Sequence, residues 1–307
     1  MDAGADAVAD VAADAPPASG PTLAGCPMFP ADNPWNRDVS ADPVDAQSTS
    51  YIAAMAPAKA VHPDWGASPY GIPWVTVPAT QPKVPVSFTY DDESDPGPYP
   101  IPPDAPIEGG AGATGDRHVL VLQRDTCKLY ELFAAVKSGS GWQAGSGAVF
   151  DLRSNALRPE GWTSADAAGL PVLPGLVRFD EVKAGKIAHA VRFTMVNTQR
   201  AYIHPATHWA STKTDPALPP MGLRVRLRAS FDASTFSAPG KVVVAAMKTY
   251  GMLLADNGSD WFVTGDTHAG WDGEVSAGTT YMDALLADLR KVKGSDFEVV
   301  KTGTIYK

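Results

Sequence analysis

Cysteine is nearly absent from this chain of 307 residues: there are two, Cys26 and Cys127. Neither sits in a C-x-x-C or catalytic context, so thiol redox and thiol protease chemistry are not expected. Basic residues are also short, 25 Lys and Arg against 34 Asp and Glu, which leaves a net charge of −9. A nucleic-acid partner needs a basic surface and is therefore excluded. No apolar run approaches the roughly 20 residues that cross a bilayer. There is no G-x-S-x-G elbow, no phosphate-binding Walker loop, and no G-x-G-x-x-G behind a strand, so no nucleotide cofactor is expected. No repeat of 20–50 residues is visible.

What is abundant is glycine and proline, 28 of each, in a chain that is 44% apolar. That composition supports a sizeable core but interrupts long helices, which favours a loop-rich β or α+β fold. Residues 1–25 are acidic and rich in Ala, Asp and Pro, with neither the basic nor the apolar block of a signal peptide. They read as a disordered leader ahead of one globular domain over 26–307. Leaders of this kind commonly follow a lipid-anchored cysteine in exported bacterial proteins, so a mature form with an anchor upstream is one expectation. In a reducing compartment the two cysteines would be unrelated buried thiols. In an exported protein they are expected to form a Cys26–Cys127 disulfide.

Residues 26–115 read as long ordered loops with edge strands near 72–77 and 84–90. Strands are predicted over 118–123, 128–136 and 142–152 as an antiparallel meander. Further ones are predicted over 188–195, 201–204, 223–229, 252–255 and 261–264. Helical spacing predicts helices over 240–250, closed by Gly251, and over 280–292, opened by a Thr280/Asp283 capping box. The expected class is α+β, with an antiparallel sheet core, sandwich or barrel-like, and late helices.

Polar, aromatic and titratable residues crowd between Gly145 and Ser211. His204 and His208 lie four apart in HPATH, a spacing that could hold a metal with an acidic ligand, serve a metal-free polar site, or simply belong to a loop. His189 is either a hydrogen-bonded core histidine or an acid/base. Asp151 ends a strand and is followed by the polar turn Arg153–Ser154–Asn155. Asp166, in TSADAAGL, is either a first-turn helix cap beside Ser164 or one of a carboxylate pair. Trp142, Trp162, Trp209, Trp261 and Trp271 are sugar platforms or core filling. Arg224, Arg226 and Arg228 alternate on one strand face, which is solvated or binds anionic groups such as uronate carboxylates.

The segments DNPWNRDVS, GDRHVLVLQRDTCKLYELF, FDLRSNALRPEGWTSADAAGLPVLPGLVRFDEV, IAHAVRFT, IHPATH and MKTYGMLLADNG together resemble a large group of secreted bacterial proteins. The likeness runs from about Cys26 onward. It implies export and a single domain, and it transfers no catalytic residue.

These readings converge on an extracellular or cell-surface monomer that cleaves glycosidic bonds of a polysaccharide or oligosaccharide. Asp151 and Asp166 would be the acid/base pair, with His189 and His204 assisting. Arg153, Asn155, Trp162, Trp209, His208 and Asp256 would contact substrate, and no metal or cofactor is required. Two alternatives stand beside this. One is a carbohydrate- or cell-wall-binding module without chemistry. The other is a metal-dependent hydrolase using His204 and His208.

Overall fold

The computed structural model describes residues 20–307. Its core element is the strand Val119–Gln123, an uninterrupted buried run VLVLQ. Such a run arises where both faces of a sheet are covered. Leu120 and Leu122 enter the larger hydrophobic core, while Val119 and Val121 on the opposite face enter a smaller one. This strand belongs to a four-stranded sheet in the order Ser146–Asp151, Lys128–Phe133, Val119–Gln123, Trp74–Val77. The first three strands are antiparallel, and Trp74–Val77 joins in parallel.

The larger core lies on a six-stranded mixed sheet. Its order is Phe297–Val299, Arg224–Leu227, Met252–Asn257, Val191–Met195, Phe262–Thr267, His62–Gly66. A three-stranded sheet of Val86–Phe88, Gly141–Ala144 and Val136–Ser138 contributes Trp142 and Ala144 to the smaller core. The architecture is α+β, and among the described residues the sheets stay open and none closes into a barrel. Among the described residues no helix is long and apolar enough to cross a membrane.

Both late helices form. Ser237 caps Ala238–Thr249 by accepting from the Gly240 amide at 3.2 Å, and Gly251 follows with φ +73°. Thr280 and Asp283 cap Tyr281–Leu289 reciprocally, as the capping box predicts. Two shorter helices, Ser48–Ala54 and Phe179–Ala184, come earlier in the chain.

Several sequence expectations need correction. The predicted strands 128–136 and 142–152 each divide between two sheets, at Ala134 (φ +51°) and at Gly145. The predicted strand 201–204 is reduced to single bridges from Tyr202 to Met221 and Tyr306. The end of the expected 1–25 leader belongs to the fold: Thr22–Leu23 pairs with Cys26–Pro27, and Leu23 is buried. The rest of that leader lies outside the described residues.

Cys26 and Cys127 form a disulfide that closes a separation of 101 residues. It ties the first folded residues to the turn between two central strands. A loop of that length contributes up to about 4–5 kcal/mol by restricting the unfolded chain. Reduction, or Cys127→Ser, should lower the free energy of urea unfolding by an amount of that order or somewhat less, with a lower midpoint. An unchanged midpoint would show that the loops of 26–115 are held by packing alone.

Candidate functional site

Charged residues in the middle of apolar strands are the signal that builds the site. Glu131, in KLYELF, faces the larger core alongside Leu129 and is fully buried. Its carboxylate accepts from the amides of Val172 at 2.8 Å and Leu173 at 2.9 Å. Arg192, in VRFTM, sits on the face opposite Val191, Phe193 and Met195, and is also buried. Its guanidinium grips Asp166 bidentately, Nε to Oδ2 at 3.0 Å and Nη2 to Oδ1 at 2.6 Å. Its third contact is Nη1 to the Thr264 hydroxyl at 2.6 Å.

Asp166 reaches Arg192 from a tight loop, not from a helix, so the helix-cap reading is replaced. The Ser164 hydroxyl accepts from the Asp166 amide at 2.9 Å and donates to the Leu170 carbonyl at 2.5 Å. Gly169 turns this loop at φ +73°, where a Cβ would lie 2.2 Å from the Thr207 hydroxyl oxygen. Only glycine fits there. The adjacent Ala165 carbonyl lies 2.9 Å from Nε2 of His118, whose Nδ1 lies 2.6 Å from Glu108. Both ring nitrogens face acceptors, so the imidazolium fits best. Burial opposes that charge, but the Glu108 hydrogen bond and carboxylate outweigh it and lift His118 to about 9.

Asp256 joins this cluster through a β-bulge. Arg192 pairs with Leu253, and Thr194 pairs with Asp256 rather than with Ala255. The extra residue turns Asp256 onto the face of Arg192 and Thr194, which regular alternation would deny it. There the Asp256 carboxyl lies beside the Asp166 carboxylate. Burial first, then the negative charge of Asp166, push it up to about 8, against the pull of Arg192. Burial likewise raises Glu131 to about 7, although its two amide donors oppose this. The charge balance explains which acids hold protons. Two cations, His118 and Arg192, neutralise Glu108 and Asp166, and Asp256 and Glu131 are the surplus.

Asp256 and Asp166 line a cavity of about 400 Å³, bordered also by Tyr90, Glu93, Ser146 and His208. His208 directs Nδ1 to the Ala167 carbonyl at 2.7 Å, leaving Nε2 3.7 Å from Glu93. Glu93 itself accepts from the Thr163 amide at 3.2 Å. Tyr90 stands half exposed at the rim. The arrangement presents a protonated carboxylic acid and, separately, a carboxylate–imidazole pair to one solvent-filled space. A larger cavity of about 590 Å³ lies elsewhere, but its lining has one carboxylate, Asp104, and no histidine.

Of the residues singled out in the sequence, the structure brings together Asp166, Asp256 and His208. Asp151 is exposed, its carboxylate accepting from the Arg153 amide at 3.0 Å, and Arg153 is exposed beside it. Asn155 is bound between Asp32 and Asn33. His189 is buried, with one ring nitrogen on Ala190 carbonyl and the other on Glu181, which matches its core reading. His204 pairs with Glu160 at 2.7 Å and stacks on Tyr306. Trp162 carries the Arg158 guanidinium over its ring, and Trp209 lies against Tyr202 and Arg200. Trp142, Trp261 and Trp271 fill the core. His204 and His208 turn to different partners. Among the described residues no three His, Cys, Asp or Glu side chains are grouped to hold a metal. Glu93, Glu108, His118, Glu131 and Arg192 were not singled out in the sequence.

Comparison with family models, curated proteins and solved structures gives no match.

Two substitutions separate the roles of the paired acids. Asp166→Asn strands a buried guanidinium and should cost about 3–5 kcal/mol in denaturant unfolding. Asp256 binds its proton more tightly folded, near 8, than unfolded, near 3.9. Its contribution is therefore complete below about pH 4 and is lost as pH rises through 8. Asp256→Asn should accordingly gain melting temperature over wild type progressively from pH 5 to pH 9. A difference independent of pH would contradict this proton assignment.

Proposed function

We propose that this protein is an exported enzyme that cleaves glycosidic bonds of an extracellular polysaccharide, with Asp256 as general acid. The observation that carries this reading is a carboxyl turned by the bulge to the wall of a cavity that also holds a carboxylate–imidazole pair; burial and the neighbouring Asp166 raise its proton affinity to about 8. A glycosidic oxygen is a poor leaving group, and its departure is the step a protonated carboxyl accelerates. In the cleavage, Asp256 gives its proton to the glycosidic oxygen as the bond to the anomeric carbon breaks. Water adds to that carbon, and its proton passes to Glu93, with His208 alongside. Asp166 has both carboxylate oxygens held by Arg192 and acts as a positioning residue: its charge keeps the proton on Asp256. Tyr90 offers a ring face at the rim, and the half-buried Thr163 beside Glu93 offers a hydroxyl for sugar hydroxyls. Asp151, His189 and His204, first expected as catalytic, have no part in this scheme. It requires no metal step.

The test is release of reducing ends from a panel of neutral, amino and acidic polysaccharides. Activity should fall about tenfold per pH unit above 8, where Asp256 loses its proton. Asp256→Asn should lower kcat by about 10²–10⁴-fold while the fold persists. Retained turnover in that variant would overturn the assignment. Saturable glycan binding without product from the wild-type protein would make it a binding module.

A further inference from the structure

The alternating arginines of Arg224–Leu227 do not share one fate. Arg226 and Arg228 both pair with Glu298, at 2.8 and 3.1 Å. Arg224 is buried, yet its hydrogen bonds go only to neutral backbone, the carbonyls of Tyr250 and Pro34. Among the described residues no carboxylate lies within ion-pair distance of it. A buried charge without a counter-charge is costly and marks a place where one is to be supplied.

Arg224 lines a cavity of about 170 Å³ whose wall also includes Arg37, His204 and Lys301 and contains no acidic residue. Arg37 has Asp42 at 2.6 Å and His204 has Glu160 at 2.7 Å. Arg224 and Lys301 have no such partner among the described residues. We propose that this cavity is a binding site for an oxyanion, a carboxylate or phosphoryl group carried by a small molecule or by one sugar unit. The guanidinium fork of Arg224 would be its anchor, with the flexible ammonium of Lys301 closing over it. Burial and repulsion from Arg37 work against the Arg224 charge, with Asp42 opposing them, and an anion in the cavity would offset that cost. The volume admits one such group and its immediate carrier, not a chain. None of the residues of the 400 Å³ cavity belongs to this one, so the site stands apart from the proposed chemistry.

Binding is measured by calorimetry and thermal shift with inorganic phosphate and with galacturonic acid as separate probes, at ionic strength matched with sodium chloride. Saturable binding of at least one probe is expected. Phosphate alone would identify a phosphoryl ligand, and galacturonate alone a carboxylated sugar. Lys301→Ala, at an exposed position, should weaken binding about tenfold, the loss of one charge-assisted contact, and Lys301→Glu should abolish it. Arg224→Gln should abolish it as well. If that variant does not fold, the Lys301 pair decides. Shifts that never saturate, or that are equal in wild type and Lys301→Glu, would overturn the proposal.

Discussion

The ion pair between Asp166 and Arg192 is the constraint on which the interior depends. The Arg192 guanidinium, in the middle of a central strand of the six-stranded sheet, is neutralised there by a carboxylate in bidentate contact. That contact fixes the 164–170 loop, and the loop in turn brings the Ala165 carbonyl to His118. Once the pair is closed, any further carboxyl nearby faces a charge already neutralised from the other side, and holds its proton.

The covered sheets make this polar interior possible. The four-stranded sheet has an apolar cluster on each face. Glu131 is its one acid facing the larger core, and amides from the 172–173 turn receive it. Glu131, Asp166 and Arg192 are thus walled from water except where the 400 Å³ cavity opens beside Asp166. Low local dielectric strengthens each contact inside and sharpens the difference between acids with and without a cation.

Sheet dominance, both late helices and their caps could be read from spacing, because VLVLQ, the 240–250 periodicity and the Thr280/Asp283 pair are local signals. The disulfide was reached from cysteine number and compartment. The site was legible only in fragments. Asp166, Asp256 and His208 were named, but their grouping depends on contacts between residues 26 and 90 apart in sequence, and no local pattern carries these. Asp256 is the clearest case: alternation places it with Leu254, and one bulged residue reverses that. The arginine row shows the same limit. Strand period put the three side chains on one face, but only the neighbours Glu298, Tyr250 and Pro34 decide which of them is neutralised.

The bond between Cys26 and Cys127 also sets how the molecule bears load. A pull entering at Gly20 meets that covalent link after a few residues. It is handed directly to the Val119–Gln123 and Lys128–Phe133 hairpin in the middle of the four-stranded sheet. The loops of residues 27–115 are bypassed and cannot be peeled away one after another. Traction on the N-terminal end is therefore borne by a buried hairpin as a unit.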